Sequence, residues 1–278
     1  MNKLHLSLEV FPPKKQEDFP NAYTVLDSLS TLNPEFISVT YGAGGSNSKK
    51  TVEIASYIQN TLQIPSVAHL TCVGNTKQDI LKVVEELKKV NVSRVLALRG
   101  DRPSYMTDEQ FNAREFTYAT ELVSFLKEKT NFTLMGGCYP EKHFEAASME
   151  EDLQHLKEKT EAGCGILISQ LFFDNDFFYR FLEKADKIGI KADFHAGIMP
   201  ITTAKQLGTT VSLSGSSVPK KLADVIATYG DNAEDMRKAG IDFAVSQIMD
   251  LQAHGISGIH LYSMNKPKTT AAIVSAIR

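Results

Sequence analysis

Cysteine is scarce in this chain, and its three copies, Cys72, Cys138 and Cys164, stand far apart and odd in number. No CxxC pair or His/Cys ligand spacing occurs, which argues against a disulfide framework or a zinc site. Reduced thiols packed as small apolar groups are expected, and with them a cytoplasmic protein. An excess of one charge is missing too. The 30 Lys and Arg nearly balance 33 Asp and Glu, the net charge is −3, and there is no basic block. A nucleic-acid or membrane-surface role therefore lacks its electrostatic basis. No apolar run reaches the ~18 residues of a membrane span, and no basic-plus-apolar leader stands at the start. A complete dinucleotide fingerprint is also absent. The one candidate, Tyr41-Gly42-Ala43-Gly44-Gly45-Ser46-Asn47, follows the second apolar run rather than the first and misses the third glycine. A Rossmann fold is disfavoured.

What is present is alternation. Short apolar runs at 4–9, 36–40, 66–70, 95–98, 133–138, 165–169, 193–197 and 258–262 read as strands. Between and after them lie amphipathic segments near 22–32, 49–61, 76–90, 118–129, 149–161, 176–188, 203–206, 219–229, 233–254 and 268–276. In 76–90, for example, Ile80, Val83, Val84 and Leu87 recur at helical spacing. Eight strands with helices between them predict a (β/α)8 TIM barrel, an α/β fold that typically takes about 250 residues. No linker or composition break divides residues 1–278, so one domain is expected.

Barrel enzymes build their sites where strands end and βα loops begin. Here those positions are Glu9, Thr40-Tyr41, His69, Arg99-Gly100-Asp101, Tyr139, Gln170, His195, and Tyr262 with Asn265-Lys266. Each alone is as well read as a satisfied structural polar group, but their convergence on one mouth is hard to explain as packing. Glu9 stands out because Pro12 and Pro13 forbid its strand from continuing. Glu9 and Asp101, on the first and fourth strands, are placed to face each other across the mouth. The Arg99-Gly100-Asp101-Arg102 turn suits a polar or anionic ligand approaching the backbone closely. His69 has no second ligand at metal spacing, which favours a hydrogen-bonding role. Beyond Tyr139-Pro140-Glu141-Lys142-His143-Phe144-Glu145-Ala146, the residues Asp152, His155 and Lys159 fall at i, i+3 and i+7 on one helix face.

These motifs carry a resemblance. Leu8-Glu9-Val10-Phe11-Pro12-Pro13, Ser38-Val39-Thr40-Tyr41-Gly42-Ala43, His69-Leu70-Thr71-Cys72 and Ala97-Leu98-Arg99-Gly100-Asp101 stand in order. So do Tyr139-Pro140-Glu141-x-His143, Gln170-Leu171-Phe172-Phe173-Asp174 and Gly197-Ile198-Met199-Pro200. Over essentially its whole length the chain resembles the bacterial 5,10-methylenetetrahydrofolate reductases. The resemblance implies a barrel with non-covalent FAD that reduces methylenetetrahydrofolate to 5-methyltetrahydrofolate with NADH or NADPH, serving methionine synthesis. It implies Glu9 as the general acid at N10 of the folate, hydride delivery from flavin N5, ping-pong kinetics, and Asp101 beside the flavin. It places flavin binding at Thr40, Tyr41, Ala43, His69, Arg99, Gly100, Tyr118, Ala119, Tyr139, His143, Ala146, Asp152, His155 and Lys159. Substrate binding falls to Gln170, Gln206, Tyr262 and Lys266, and a homo-oligomer is expected.

The chain also departs from the family pattern. His155 and Glu158 stand where an Asn and an Arg contact FAD, so one cation gives way to an anion. Thr210 replaces a shielding Phe, and Lys266 replaces an Arg, keeping charge but losing the bidentate fork. Two other readings remain open on the residues alone: another FAD-dependent barrel oxidoreductase, similar to proline dehydrogenase, or a flavin- or folate-binding protein with little turnover. The Glu9 motif on the first strand argues against the first, and the presence of both Glu9 and Asp101 against the second, because binding alone needs no N10 acid.

Overall fold

The computed structural model describes residues 4–41 and 48–278. Eight strands form a closed, all-parallel barrel in sequence order. They are β1 (His5–Val10), β2 (Phe36–Val39), β3 (Ser66–Thr71), β4 (Arg94–Leu98), β5 (Thr133–Cys138), β6 (Ile166–Ser169), β7 (Asp193–Ile198) and β8 (Gly258–Tyr262). β1 closes the ring by pairing Ser7 with Phe36 on one side and with His260 on the other. The predicted (β/α)8 barrel and the eight runs read from the sequence are thus present, each strand within two residues at either end.

Alternation decides which side chains go where. On β1, Leu6, Leu8 and Val10 point outwards into the core shared with the helices, as do Ile259 and Leu261 on β8. Their neighbours Ser7, Glu9, His260 and Tyr262 point into the barrel. Burying each large aliphatic side chain contributes about 1.5–3 kcal/mol, so the outer layer fixes the strand register. Inside, Phe36, Val67, Leu96, Met135 and Ile168 form an apolar plug. Above the plug the barrel opens at the carboxyl ends of the strands, and below it at the amino ends.

The helices follow the predicted segments. In chain order they begin α1 (Phe19–Ser30), α2 (Ser48–Ser56), α3 (Lys77–Lys89), α4 (Asp108–Asn112), α5 (Ala119–Lys129), α6 (Met149–Ala162), α7 (Asn175–Lys187) and α8 (Ala204–Ser214), of which α5, α6 and α8 position the site. Ser148 caps α6 by accepting from the Glu151 N–H at 3.1 Å, and Thr203 caps α8 by accepting from Gln206 at 3.2 Å. Three details differ from the sequence reading. The connection after β4 holds a short helix at Asp108–Asn112, started by a Thr107/Gln110 capping box. The segment beginning at 203 extends as helix to Ser214. The segment at 49–61 ends in a π-turn, Tyr57–Thr61, rather than as uniform α-helix. All three cysteines are buried and unpaired, and burial pushes the Cys72 and Cys164 thiols up to about 11. No helix among the described residues is long and apolar enough to cross a membrane.

Candidate active site

Glu9 points inwards from β1, one residue before the strand ends at Val10. The prolines beyond it cannot continue a ladder, so side chains take over the pairing. Asn265 accepts from the Phe11 N–H at 3.2 Å and donates to the Phe11 carbonyl at 2.9 Å. Ser263 Oγ donates to the Glu9 carbonyl at 2.6 Å. The stretch after β8 thereby fixes the direction in which Glu9 leaves the sheet.

Two imidazoles stand against the Glu9 carboxylate. His69 Nε2 lies 3.5 Å and His260 Nε2 3.8 Å from the same oxygen, Oε2. Burial raises the Glu9 carboxyl above the ordinary carboxylate range, and His69 beside it reverses only part of that shift. Burial lowers His69 to about 4 and His260 to about 3, so both rings are neutral near pH 7. Glu9 thus combines a raised pKa with a wall of the cleft, where its side chain is still 21% exposed.

That cleft also takes in Thr40, His69, Arg99, Gly100, Asp101, Tyr139, His143, Gln170 and Tyr262, so Glu9 and Asp101 share one space. Gly100 has φ +83°, and a Cβ there would stand 2.8 Å from Thr71 Cβ, so the Arg-Gly-Asp turn needs glycine. A second cleft continues outwards along β4, β5, α5 and α6, through the shared Leu98, Arg99, Gly137, Tyr139 and His143. Tyr118, Ala119, Ala146, Asp152, His155 and Lys159 line it, together with Glu145. The i, i+3, i+7 face of α6 therefore does form a pocket wall.

Its groups are held in specific ways. Lys159 Nζ donates to the Gly137 carbonyl at 2.8 Å, and burial lowers the pKa of its ammonium. Asp152 accepts from the His143 N–H at 3.0 Å. The Tyr118 and His155 rings stack 5.2 Å apart. Arg99 is gripped through both guanidinium nitrogens by Glu145, one bond at 2.9 Å. This partner escaped the sequence reading, although it stands inside the Tyr139–Ala146 cluster. Glu158 lies outside the lining and faces His155, with Oε2 3.5 Å from Nδ1.

Other expected residues lie elsewhere. Tyr41 packs against the barrel–helix core rather than lining either cleft. Gln206 and Lys266 are likewise absent from both linings; Gln206 is bonded within its own loop and Lys266 to the loop after β7. Gln206 accepts from the Thr202 N–H at 3.1 Å and donates to the Pro200 carbonyl at 2.9 Å, while Lys266 donates to Thr202 Oγ1 at 3.2 Å. Thr210 is buried. Ala43 falls outside the described residues. His195 does not reach the mouth, contrary to its place among the converging strand ends. As the third residue of β7 it lines the opposite, amino-terminal opening with His5, Glu35, Arg94 and Asp193.

A family model described as methylenetetrahydrofolate reductase matches residues 1–278. The chain belongs to the methylenetetrahydrofolate reductase family. Within it, the 5,10-methylenetetrahydrofolate reductase of Escherichia coli is 30% identical over 98% of this chain and 90% of its own length. Methylenetetrahydrofolate reductase (NADH) 1 of Arabidopsis thaliana is 33% identical over 96% of this chain, which spans only 47% of that longer relative. Among solved structures, a Clostridium thermocellum protein described as binding two copies of 5-methyl-5,6,7,8-tetrahydrofolic acid superposes with a TM-score of 0.66. At 14% identity, covering 99% of this chain and 94% of that one, it speaks for the fold alone. In this reductase-family barrel, the family motifs seen in the sequence fall mainly on β1 to β6, the arc that carries the two clefts.

Proposed function

We propose that this chain reduces 5,10-methylenetetrahydrofolate to 5-methyltetrahydrofolate, using a non-covalently bound FAD and electrons from NADH or NADPH. The observation that carries the reading is Glu9, a carboxyl raised by burial and pointed into a cleft large enough for a planar ligand. Two features fit a flavin in the joined clefts. Gly137 lines both of them, and a Cβ there would already approach Leu98 Cδ2 to 3.3 Å, so the bare backbone leaves the passage between them open. Among the described residues, buried His69 Nε2 has no hydrogen-bond partner beyond its 3.5 Å contact with Glu9, and is suited to meet the polar edge of a flat ring.

Bound there, FAD would supply the hydride for the one-carbon unit. Thr40, His69, Gly100, Asp101 and Gly137 would hold its ring system, and Tyr118, His143, Asp152, His155 and Lys159 its extended part. Lys159 supplies positive charge from within the outer cleft. The Arg99–Glu145 pair offers no net charge, whatever the ligand's phosphates require.

The chain's own chemistry centres on Glu9. Opening the five-membered ring of the folate requires a proton on N10, which turns that nitrogen into a leaving group. A carboxyl whose burial favours its protonated form is suited to give that proton, with His69 opposing only part of that bias. Asp101 sits in the same cleft at a more exposed position, suited to carry negative charge beside the pterin. Gln170 and Tyr262 line the remaining wall for the substrate.

The purified protein is expected to be yellow. Under anaerobic conditions NADH or NADPH should bleach the flavin band, and methylenetetrahydrofolate should restore it. Failure of the folate to restore the band would refute the reductase reading, and comparing the two nucleotides side by side settles the donor.

A further inference from the structure

Beneath Glu9 the barrel holds polar groups that the chemistry above leaves unused. His260 is fully buried on β8. Its Nδ1 lies 2.8 Å from Ser7 Oγ, and its Nε2 faces Ser38 Oγ at 3.4 Å and Glu9 Oε2 at 3.8 Å. Ser7 Oγ has a second neighbour, the Ile259 carbonyl at 3.3 Å. A neutral imidazole carries one N–H and one lone pair, and the partners decide which nitrogen has which.

The partners here favour one arrangement. With the proton on Nδ1, three hydrogen bonds form at once: Nδ1–H to Ser7 Oγ, the Ser7 hydroxyl to the Ile259 carbonyl, and the Ser38 hydroxyl to Nε2. With the proton on Nε2, Ser7 must turn its hydroxyl to Nδ1, the Ile259 contact is lost, and Ser38 becomes an acceptor. Buried polar groups settle where most of their bonds are made.

We propose that Ser7 and His260 are positioning residues for Glu9, with Ser7 fixing the His260 proton on Nδ1 so that the Nε2 lone pair faces Glu9 Oε2. A carboxylate at that point, 3.8 Å away, meets a lone pair already taken by the Ser38 hydroxyl instead of an N–H that would stabilise its charge, whereas the uncharged acid loses nothing there. His260 thereby favours the loaded acid. The inference rests on the reading of Glu9 as the N10 acid.

The other charged or titratable groups around the pair are His69 from β3, Tyr262 from β8 and Asp101 after β4, with His195 on β7 feeling His260 from the amino-terminal side. From β2 the facing group is Ser38, which does not titrate in this range. None of these is changed by removing the Ser7 hydroxyl, so Ser7→Ala isolates the effect. With no acceptor on Nδ1, the proton moves to Nε2 and points at Ser38 Oγ and Glu9 Oε2, which stabilises the carboxylate.

The test is a titration of the Glu9 carboxyl by 13C NMR on the full-length protein as purified, the signal being assigned through its loss in Glu9→Gln. In Ser7→Ala the midpoint should fall by about half to one pH unit, because a donor now faces the charged form. The alkaline limb of folate reduction should move down with it, flavin reduction by NAD(P)H should stay unchanged, and Ser7→Thr, which keeps the hydroxyl, should restore the midpoint. Independently of any variant, 15N shifts of His260 should show Nδ1 protonated and Nε2 bare. A proton on Nε2, or an unmoved midpoint in Ser7→Ala, overturns the inference while leaving Glu9 as the acid. Full folate reduction by Glu9→Gln would instead overturn the acid reading itself.

Discussion

The two arcs of the barrel mouth use polar residues in opposite ways. From β1 to β6, the side chains at the strand ends and on α6 line open space: Glu9, His69, Asp101, Tyr139, Gln170 and Lys159 all border the joined clefts. After β7 and β8, polar residues of the same kinds are spent on the protein itself. Gln206 closes its own loop through Thr202 and Pro200, Lys266 reaches Thr202, and Asn265 serves the Phe11 backbone. A polar residue at a strand end is therefore ambiguous by type alone. What separates the two kinds is whether the side chain still borders open space once its bonds within the chain are made.

Acid should break both arcs together and gives the largest effect. His195 and His260 are lowered by burial to about 4 and about 3, from an ordinary 6.5. Their stabilising contribution is complete above the unfolded value and is lost as pH falls from about 6.5 towards the folded values. The unfolded chain takes up protons that the folded one refuses, at a cost on the order of 3 kcal/mol for each ring. Glu9 is raised and acts with the opposite sign, its contribution being lost as pH rises through its folded value. Urea unfolding midpoints measured between pH 7 and pH 4 should fall steadily with pH, and a flat profile would contradict neutral buried imidazoles.

Glu9→Gln should break the open arc only. Folate-dependent reoxidation should slow by about 10²–10⁴-fold, while reduction by NAD(P)H continues. Stopped-flow measurement of the two half-reactions separates these effects.

Lys159→Met sharpens the comparison further. Removing a buried cation should weaken flavin binding by about tenfold, read by fluorescence titration. Unfolding stability should hold or rise, because the desolvation cost of the ammonium disappears. In the closed arc, Gln206→Ala should show the reverse pattern. The Thr202 N–H loses its acceptor, which should cost about 1–2 kcal/mol of stability. A Gln206→Ala protein of unchanged stability but much weaker folate affinity would move this residue to the open arc.

Much of this was legible in the sequence. The eight apolar runs are separated by longer amphipathic segments, so strand count, order and fold class follow from pattern. The α6 face was legible because Asp152, His155 and Lys159 keep helical spacing, and spacing survives folding. The Asp108–Asn112 helix went unread, because it lies in a charged stretch without an apolar stripe and only its Thr107/Gln110 capping box marks it. His195 was placed at the wrong end because it lies near the middle of its run, and alternation sets which face a residue takes but not which opening it looks towards. His260 gave no local signal: a histidine between Ile259 and Leu261 reads as part of an apolar strand.

The sequence by itself determined the barrel, the family and the inward alternation that makes Glu9 and Asp101 available at one mouth. These depend on period, order and residue type, all of which are local or one-dimensional. Only the tertiary structure decided which polar groups remain open to a ligand. It seated two neutral imidazoles against one oxygen of Glu9, locked Arg99 onto Glu145, and closed Gln206 into its own loop. Each of these outcomes depends on partners remote in the chain or on the path of a turn, and no pattern along the chain records whether a polar side chain has met its partner.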